Sequence, residues 1–274
     1  MRYTPASTPK GWWCCCFLLL VLTIFPVYSN TLNASWQFDD RPNIVNKQAL
    51  HIQTISLESF QQVIAGSQKR FLANLSFALN WYFGGKDVFG YHLVNLVFHI
   101  ATAFLLCGVI VTLFQTPALK DRYSPDDVIF ISFFSTLLWA VNPVQTQAVT
   151  YIVQRMAVMA AFFYLMAMLF YVKGRLIKSK ARIIFFVLAM VSFFCALLSK
   201  ENAVMLPVSL LLVEVLFFEN QRKNDGRVRF FAIWAGFIAT AGLIGLGIFK
   251  GGDFFFFLDR YEHRHFTLTQ RLLT

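Results

Sequence analysis

Two adjacent carboxylates, Asp39 and Asp40, follow Trp36-Gln37-Phe38 and precede Arg41-Pro42. Like charges that close resist joint ionisation unless a cation, a metal or hydrogen bonds compensate, so one of the pair can act as a shifted general base. An Asp ahead of Pro42 serves equally well as the cap of a turn. A second cluster runs Asn142-Pro143-Val144-Gln145-Thr146-Gln147 and on to Gln154-Arg155. Its amides can hydrogen-bond sugar hydroxyls and Arg155 can hold a phosphate bidentately; equally, these groups can satisfy backbone freed where Pro143 stops a helix. In the third cluster, Ser199-Lys200-Glu201-Asn202 stands between two apolar blocks almost without a loop. Ionisable groups are expensive beside lipid, which points to function, while Lys200 capping a helix end with its ammonium reaching water is the plainer alternative. His92, Asn95 and His99, spaced by three and four, share one helical face. With no Cys or carboxylate in register, they read as an interhelical hydrogen-bonding stripe rather than a metal site.

Membrane helices must position these groups. Of 274 residues, 57% are hydrophobic and 14% charged, and phenylalanine alone occurs 32 times. Soluble domains carry about 25% charged residues, so a water-soluble globule is excluded. The net charge of +10 would suit a nucleic-acid binder, but the basic residues lie in short connections between apolar blocks; membrane lipid is the expected partner and nucleic acid is not. Five cysteines, with Cys14, Cys15 and Cys16 adjacent, make no disulfide framework. The sequence has no Walker motif, Gly-x-Ser-x-Gly elbow, HExxH or CxxC, which removes the usual signals of ATPases, hydrolases, zinc peptidases and thiol redox enzymes.

Apolar runs near span length fall at 12–28, 91–114, 128–141, 156–172, 183–198, 203–218 and 230–249. The fold class is therefore all-α, a polytopic membrane helical bundle of about seven transmembrane helices with a long first non-cytoplasmic loop. It reads as one module over 1–274: first span (12–28), outer loop with the acidic motif (29–90), remaining spans (91–249) and an outer segment (250–274). Lys173, Arg175, Lys178, Lys180 and Arg182 lie between the fourth and fifth spans, and Arg222, Lys223, Arg227 and Arg229 between the sixth and seventh, whereas the alternate short connections hold only Arg155 and Lys200. With Arg2 and Lys10 before the first span, this asymmetry puts the amino terminus in the cytoplasm and all the polar clusters on the outer, periplasmic or lumenal face. The first span also has the outline of a cleavable signal peptide, but Trp12, Trp13 and Tyr28 look like interfacial anchors of a retained helix. Asn33 and Asn74 head Asn-x-Ser sequons on the outer side. The Phe254 to Phe257 run reads as a membrane-surface contact, and Gly242, Gly245 and Gly247 as a close-packing stripe.

Five motifs in order, Trp36-Gln37-Phe38-Asp39-Asp40, Lys69-Arg70-Phe71-Leu72 leading to Asn80, Phe89-Gly90-Tyr91-His92-Leu93-Val94-Asn95 with His99, Asn142-Pro143-Val144-Gln145-Thr146-Gln147-Ala148-Val149 and Ser199-Lys200-Glu201-Asn202, resemble the membrane half of the transmembrane O-mannosyltransferases that modify cadherins and of their bacterial tetratricopeptide-repeat relatives. The resemblance implies a GT-C fold. It also implies transfer of a mannose-like sugar from a polyprenyl-phosphate donor to a hydroxyl of protein Ser/Thr or a glycan, on the non-cytoplasmic side, with inversion. Asp39 and Asp40 then match the catalytic acidic motif. Arg155, Lys200, Glu201, Asn142, Gln145, Gln147, Arg70 and His92 fall to donor-phosphate or substrate binding, with Arg260, Arg264 and Arg271 as further outer cations. No cofactor is required, although Mg²⁺ or Mn²⁺ on the two Asp is an option. The family often has His and Glu where this chain has Asn142, Gln145 and Gln147, and it continues with further spans and helical repeats, so the chain reads as truncated at its C-terminus. A catalytically silent scaffold and a lipid-linked-sugar transporter are the alternatives. The sequence shows no paired repeats of the transporter kind.

The charge asymmetry is tested by single-cysteine labelling in a background without native cysteines. Positions near Asn46 and Lys250 should be modified from outside, and positions near Lys178 and Asn224 only after permeabilisation. Outside labelling at Lys178 would invert the topology.

Overall fold

The computed structural model describes residues 10–66 and 70–218. The seventh span (230–249), the Gly242 stripe, Phe254 to Phe257, the outer segment 250–274 with Arg260, Arg264 and Arg271, and the charges Arg2, Lys69, Arg222, Lys223, Arg227 and Arg229 lie outside the described residues. Within them the fold is all helical: α1 (Lys10–Tyr28), α2 (Leu57–Ala65), α3 (Phe71–Gly84), α4 (Val88–Phe114), α5 (Pro125–Ala140), α6 (Thr146–Thr150), α7 (Arg155–Leu176), α8 (Arg182–Ser199) and α9 (Leu206–Phe218). Five helical stretches are long and apolar enough to cross a membrane, and six if α5 and the segment Pro143–Thr150, bent by 51°, form one broken span. This is a polytopic helical bundle, and each of the first six sequence spans coincides with a helix.

Local chemistry sets the helix boundaries. Ser124 and Asp127 form a reciprocal capping box ahead of Pro125 at the start of α5. Asp87 caps α4 through Phe89 N at 3.1 Å, and Ser56 caps α2 through Ser59 N at 3.2 Å. At the other end of α5 the residue before Pro143 is pushed out of helical geometry, and Asn142 Oδ1 accepts from Val144 N at 3.0 Å to start the new turn. Asn142 therefore does what the plainer reading of its cluster foresaw: it satisfies backbone at a helix break.

α4 is the central post, with α1, α5 and α7 packed around it and α8 paired with α7. One buried face of α1 (Cys16, Leu20, Ile24, Tyr28) meets Leu96, Ile100, Ala103 and Cys107 of α4. Tyr28 Oη donates to Ala140 O at 3.0 Å. The first span is thus an integral member of the bundle. Leu18, Leu22, Phe130, Leu138, Ile183 and Leu216 stay exposed on the outward faces, as suits contact with lipid.

Segment 29–90 differs from the loop expected of it. It folds into short turns, the amphipathic α2 and the apolar α3, whose Ala73, Phe77 and Ala78 are buried against Ile44, Leu50 and Tyr91. Fourteen residues are too few to span a membrane, so a search for spans passes over α3. Its sequon residue Asn74 is buried, whereas Asn33 is exposed, which leaves Asn33 as the accessible acceptor of the two.

At the far end of the bundle, Glu214 of α9 is buried and held by Arg175 of α7 through both carboxylate oxygens, with Tyr171 Oη donating at 2.9 Å. Arg175 also lies 5.0 Å over the Phe218 ring. Removing one partner strands the other charge in an apolar setting. Arg175→Met and Glu214→Met should each destabilise the protein by about 3 kcal/mol, and the double variant should recover much of that loss in thermal unfolding in detergent. A double variant no better than the singles would show that the pair's worth lies elsewhere.

Candidate active site

Residues 151–154, between α6 and α7, are the junction on which the acidic segment and Lys200 meet. Tyr151 Oη accepts from Asp39 N at 2.8 Å, Val153 N donates to Asp40 Oδ1 at 2.7 Å, and Lys200 Nζ donates to Gln154 Oε1 at 3.4 Å. Residues 39–40, 151–154 and Lys200 thus converge.

The two carboxylates have different surroundings. Asp40 is buried and both its oxygens accept backbone N–H groups, from Val153 and from Gln37 at 2.9 Å. Burial pushes its carboxyl above the ordinary value, and those two N–H donors pull partly back. Asp39 is exposed. Its backbone is fixed by Tyr151 and by Asn43, whose Nδ2 donates to Asp39 O at 2.8 Å. The turn that separates them passes through Phe38 at φ +26°, an uncommon conformation for a side-chain-bearing residue. Trp36, with Nε1 donating to Lys86 O at 3.2 Å, ties the start of this turn to the connection before α4.

A cationic group lies on the other side of the junction. Arg70 Nε bridges Glu201 at 2.9 Å, both side chains partly exposed, and Arg70 Nη1 contacts Met156 Sδ at 3.4 Å. Burial followed by repulsion from Arg70 lowers the pKa of both Lys47 and Lys200, with Glu201 opposing in the case of Lys200. Lys47 also donates to Asn74 Oδ1 at 3.4 Å. Arg70 and Lys200 therefore lie about one carboxylate, Glu201, with Lys47 on the Arg70 side. Lys47 is a neighbour of Arg70 that sequence reasoning missed, because nothing in its local sequence marks it; only the fold of 41–50 onto α3 brings it in.

Arg155 has a different place from the phosphate-facing one expected. It is fully buried. Nε donates to Asn95 Oδ1 at 2.7 Å, Nη1 to Asn80 Oδ1 at 2.6 Å and Ser76 O at 3.2 Å, and Nη2 to Tyr91 O at 2.8 Å, with the guanidinium 4.6 Å over the Phe77 ring. Its donors are committed to α3 and α4. The amides of the second cluster do not join the cations: Asn142 caps a turn, and Gln145 and Gln147 lie on the bent segment around α6. His92, also buried, is paired through Nε2 with Ala34 O at 2.9 Å, and Asn95 Nδ2 reaches the carbonyls of Val149, Tyr151 and Ile152 at 3.3 to 3.4 Å. His99 Nε2 is paired with Ala140 O at 2.9 Å. The α4 stripe is the interhelical hydrogen-bonding device its spacing implied.

Beside the junction lies a cavity of about 440 Å³ whose walls include Tyr28, Asn30, Thr31, Ala34, Thr146 and Thr150.

No family model matches the chain, and no solved structure does. Among curated proteins it is similar to protein O-mannosyl-transferase tmtc2 of Xenopus laevis, 33% identical over 148 residues that cover 51% of this chain and 16% of that protein. It is also similar to protein O-mannosyl-transferase TMTC3 of Homo sapiens, at 28% over 155 residues covering 53% and 16%, and to TMTC4 of Mus musculus, at 28% over 180 residues covering 59% and 23%. The likeness to the transmembrane O-mannosyltransferases drawn from the ordered motifs therefore holds, and the matched region spans less than a quarter of each of these relatives.

Arg155→Met should unpair several buried acceptors at once and cost about 3 kcal/mol or more in thermal unfolding. Arg155→Lys should rescue little, since an ammonium cannot reproduce the planar fork. An unchanged melting temperature with weakened binding of a phospholipid donor would return Arg155 to the phosphate.

Proposed function

We propose that this chain carries the catalytic face of a membrane glycosyltransferase that moves a mannose-like sugar from a polyprenyl-phosphate carrier to a hydroxyl of protein Ser or Thr, on the non-cytoplasmic side and with inversion. The observation that carries this reading is that Asp39 is held at Tyr151 and Lys200 at Gln154, with Arg70 against the adjacent Met156, in a chain similar to named O-mannosyl-transferases. In this reading Asp39 is the base and Asp40 its positioning residue. The acceptor oxygen attacks the anomeric carbon, its proton passes to Asp39, and the bond from that carbon to the phosphate oxygen breaks with its electron pair left on the phosphate. Arg70, Lys200 and Lys47 meet the negative charge that develops there. A phosphate leaving group departs as a stable anion, so the site needs positive charge more than a general acid.

A divalent cation fits the acid pair poorly. Both oxygens of Asp40 are already engaged by N–H groups, and among the described residues no three His, Cys, Asp or Glu side chains stand close enough to share an ion. The steps above use the chain's own residues.

In the complete protein, Asp39→Asn should lower sugar transfer by about 10²-fold or more with the melting temperature retained, while Asp40→Asn should lower both. Full transfer by the double variant would remove the acid pair from the chemistry. Donor affinity has a pH signature of its own. Burial lowers the Lys200 pKa, so its charge is lost below the usual lysine range, and the donor KM should climb as pH rises toward that range. Lys200→Arg, which stays charged, should flatten that climb; a profile unchanged by the substitution would take Lys200 away from the phosphate.

A further inference from the structure

From Thr150 to Met156, the chain meets three chemically distinct surroundings in order. Thr150 lines the cavity; Tyr151 and Val153 hold Asp39 and Asp40; Gln154 and Met156 touch Lys200 and Arg70. The cavity therefore lies next along the chain to the residues that hold the acid pair.

The lining is specific in its chemistry. Among the described residues no charged one borders the cavity; it presents Asn30 and the threonines Thr31, Thr146 and Thr150 against Val27, Val141 and Pro143. Thr150 Oγ1 itself is buried without a hydrogen-bond partner. Neutral hydroxyl and amide groups on apolar walls suit a peptide bearing a small hydroxyl side chain and do not suit a phosphate. The wall at Ala34 is fixed, since Ala34 O is held by His92.

We infer that this cavity seats the acceptor polypeptide, presenting its Ser or Thr hydroxyl toward Asp39. The assignment rests on the glycosyl-transfer reading but is tested separately from it. A photoreactive benzoylphenylalanine at Thr146, which is exposed at the rim, is introduced into the full-length protein and irradiated with a labelled Ser/Thr-rich peptide, in the presence and absence of a polyprenyl phosphate. Capture of the peptide, competed by unlabelled peptide, is the expected result. In kinetics, Thr146→Trp should raise the acceptor KM about tenfold while the donor KM moves less than about twofold, and Thr150→Val should raise the acceptor KM by a smaller factor. Capture of the polyprenyl lipid instead, or a rise confined to the donor KM, overturns the proposal in favour of a groove for the carrier chain. Active protein with no peptide capture and an unchanged acceptor KM also overturns it. Competed peptide capture by a wild-type protein that transfers no sugar would sink the glycosyl-transfer reading and leave the cavity as a peptide site.

Discussion

A helix broken at membrane level frees carbonyl and amide groups that lipid cannot satisfy, and this architecture is arranged around that debt. The break between α5 and α7 exposes the carbonyls of Ala140, Val149, Tyr151 and Ile152, and His99 and Asn95 of α4 cover all four. Arg155 completes the arrangement by donating to Asn95 as well as to Asn80, Ser76 and Tyr91. A junction without α-helical hydrogen bonding persists at this depth because the helix beside it carries Asn95 and His99 four residues apart on one face. The exposed Asp39 and Lys200 are tied to that junction through Tyr151 and Gln154.

Division of labour between the two aspartates follows from the same geometry. A carboxylate that accepts two backbone N–H groups while buried is an anchor, since moving it would strand both donors. Its neighbour, one residue away and across a strained turn at Phe38, keeps its side chain in water. Arg70 is the other side-chain-bearing residue with positive φ among the described residues, at +63°, and it opens α3 where the cations gather. Each such conformation costs of order 1 kcal/mol or more and lasts only where surrounding contacts over-determine it. Both strained positions therefore border the groups that the proposed chemistry uses.

The spans were legible because lipid demands long apolar runs, and the α4 stripe because helical spacing puts His92, Asn95 and His99 on one face. Segment 29–90 was legible only as an outer region: α3 is apolar yet short, and its burial depends on partners far away in sequence. Arg155 shows the limit of residue-type reasoning most clearly. An arginine at the start of a membrane helix reads as a phosphate ligand, and only the location of Asn80, Asn95 and Phe77 reveals that neutral acceptors and a ring face have already engaged it. Lys47 is the converse, a cation in an unremarkable stretch, recruited by tertiary folding.

Two Arg–Glu pairs in the same bundle illustrate how burial sorts structure from function. At the far end, Glu214 is almost wholly enclosed and Arg175 approaches it through several bonds, so separating them would leave a charge in an apolar interior at a cost of several kcal/mol. At the junction, Arg70 and Glu201 keep side-chain exposures of 38% and 46%. A pair that wet contributes about 1 kcal/mol or less, and water can take over either partner. Arg70 can thus exchange the Glu201 carboxylate for a phosphate oxygen at little cost, whereas Arg175 cannot leave Glu214. The sequence pairs the same two residue types twice; their distance from water makes one a fixed tie between helices and the other a cation free to change partners.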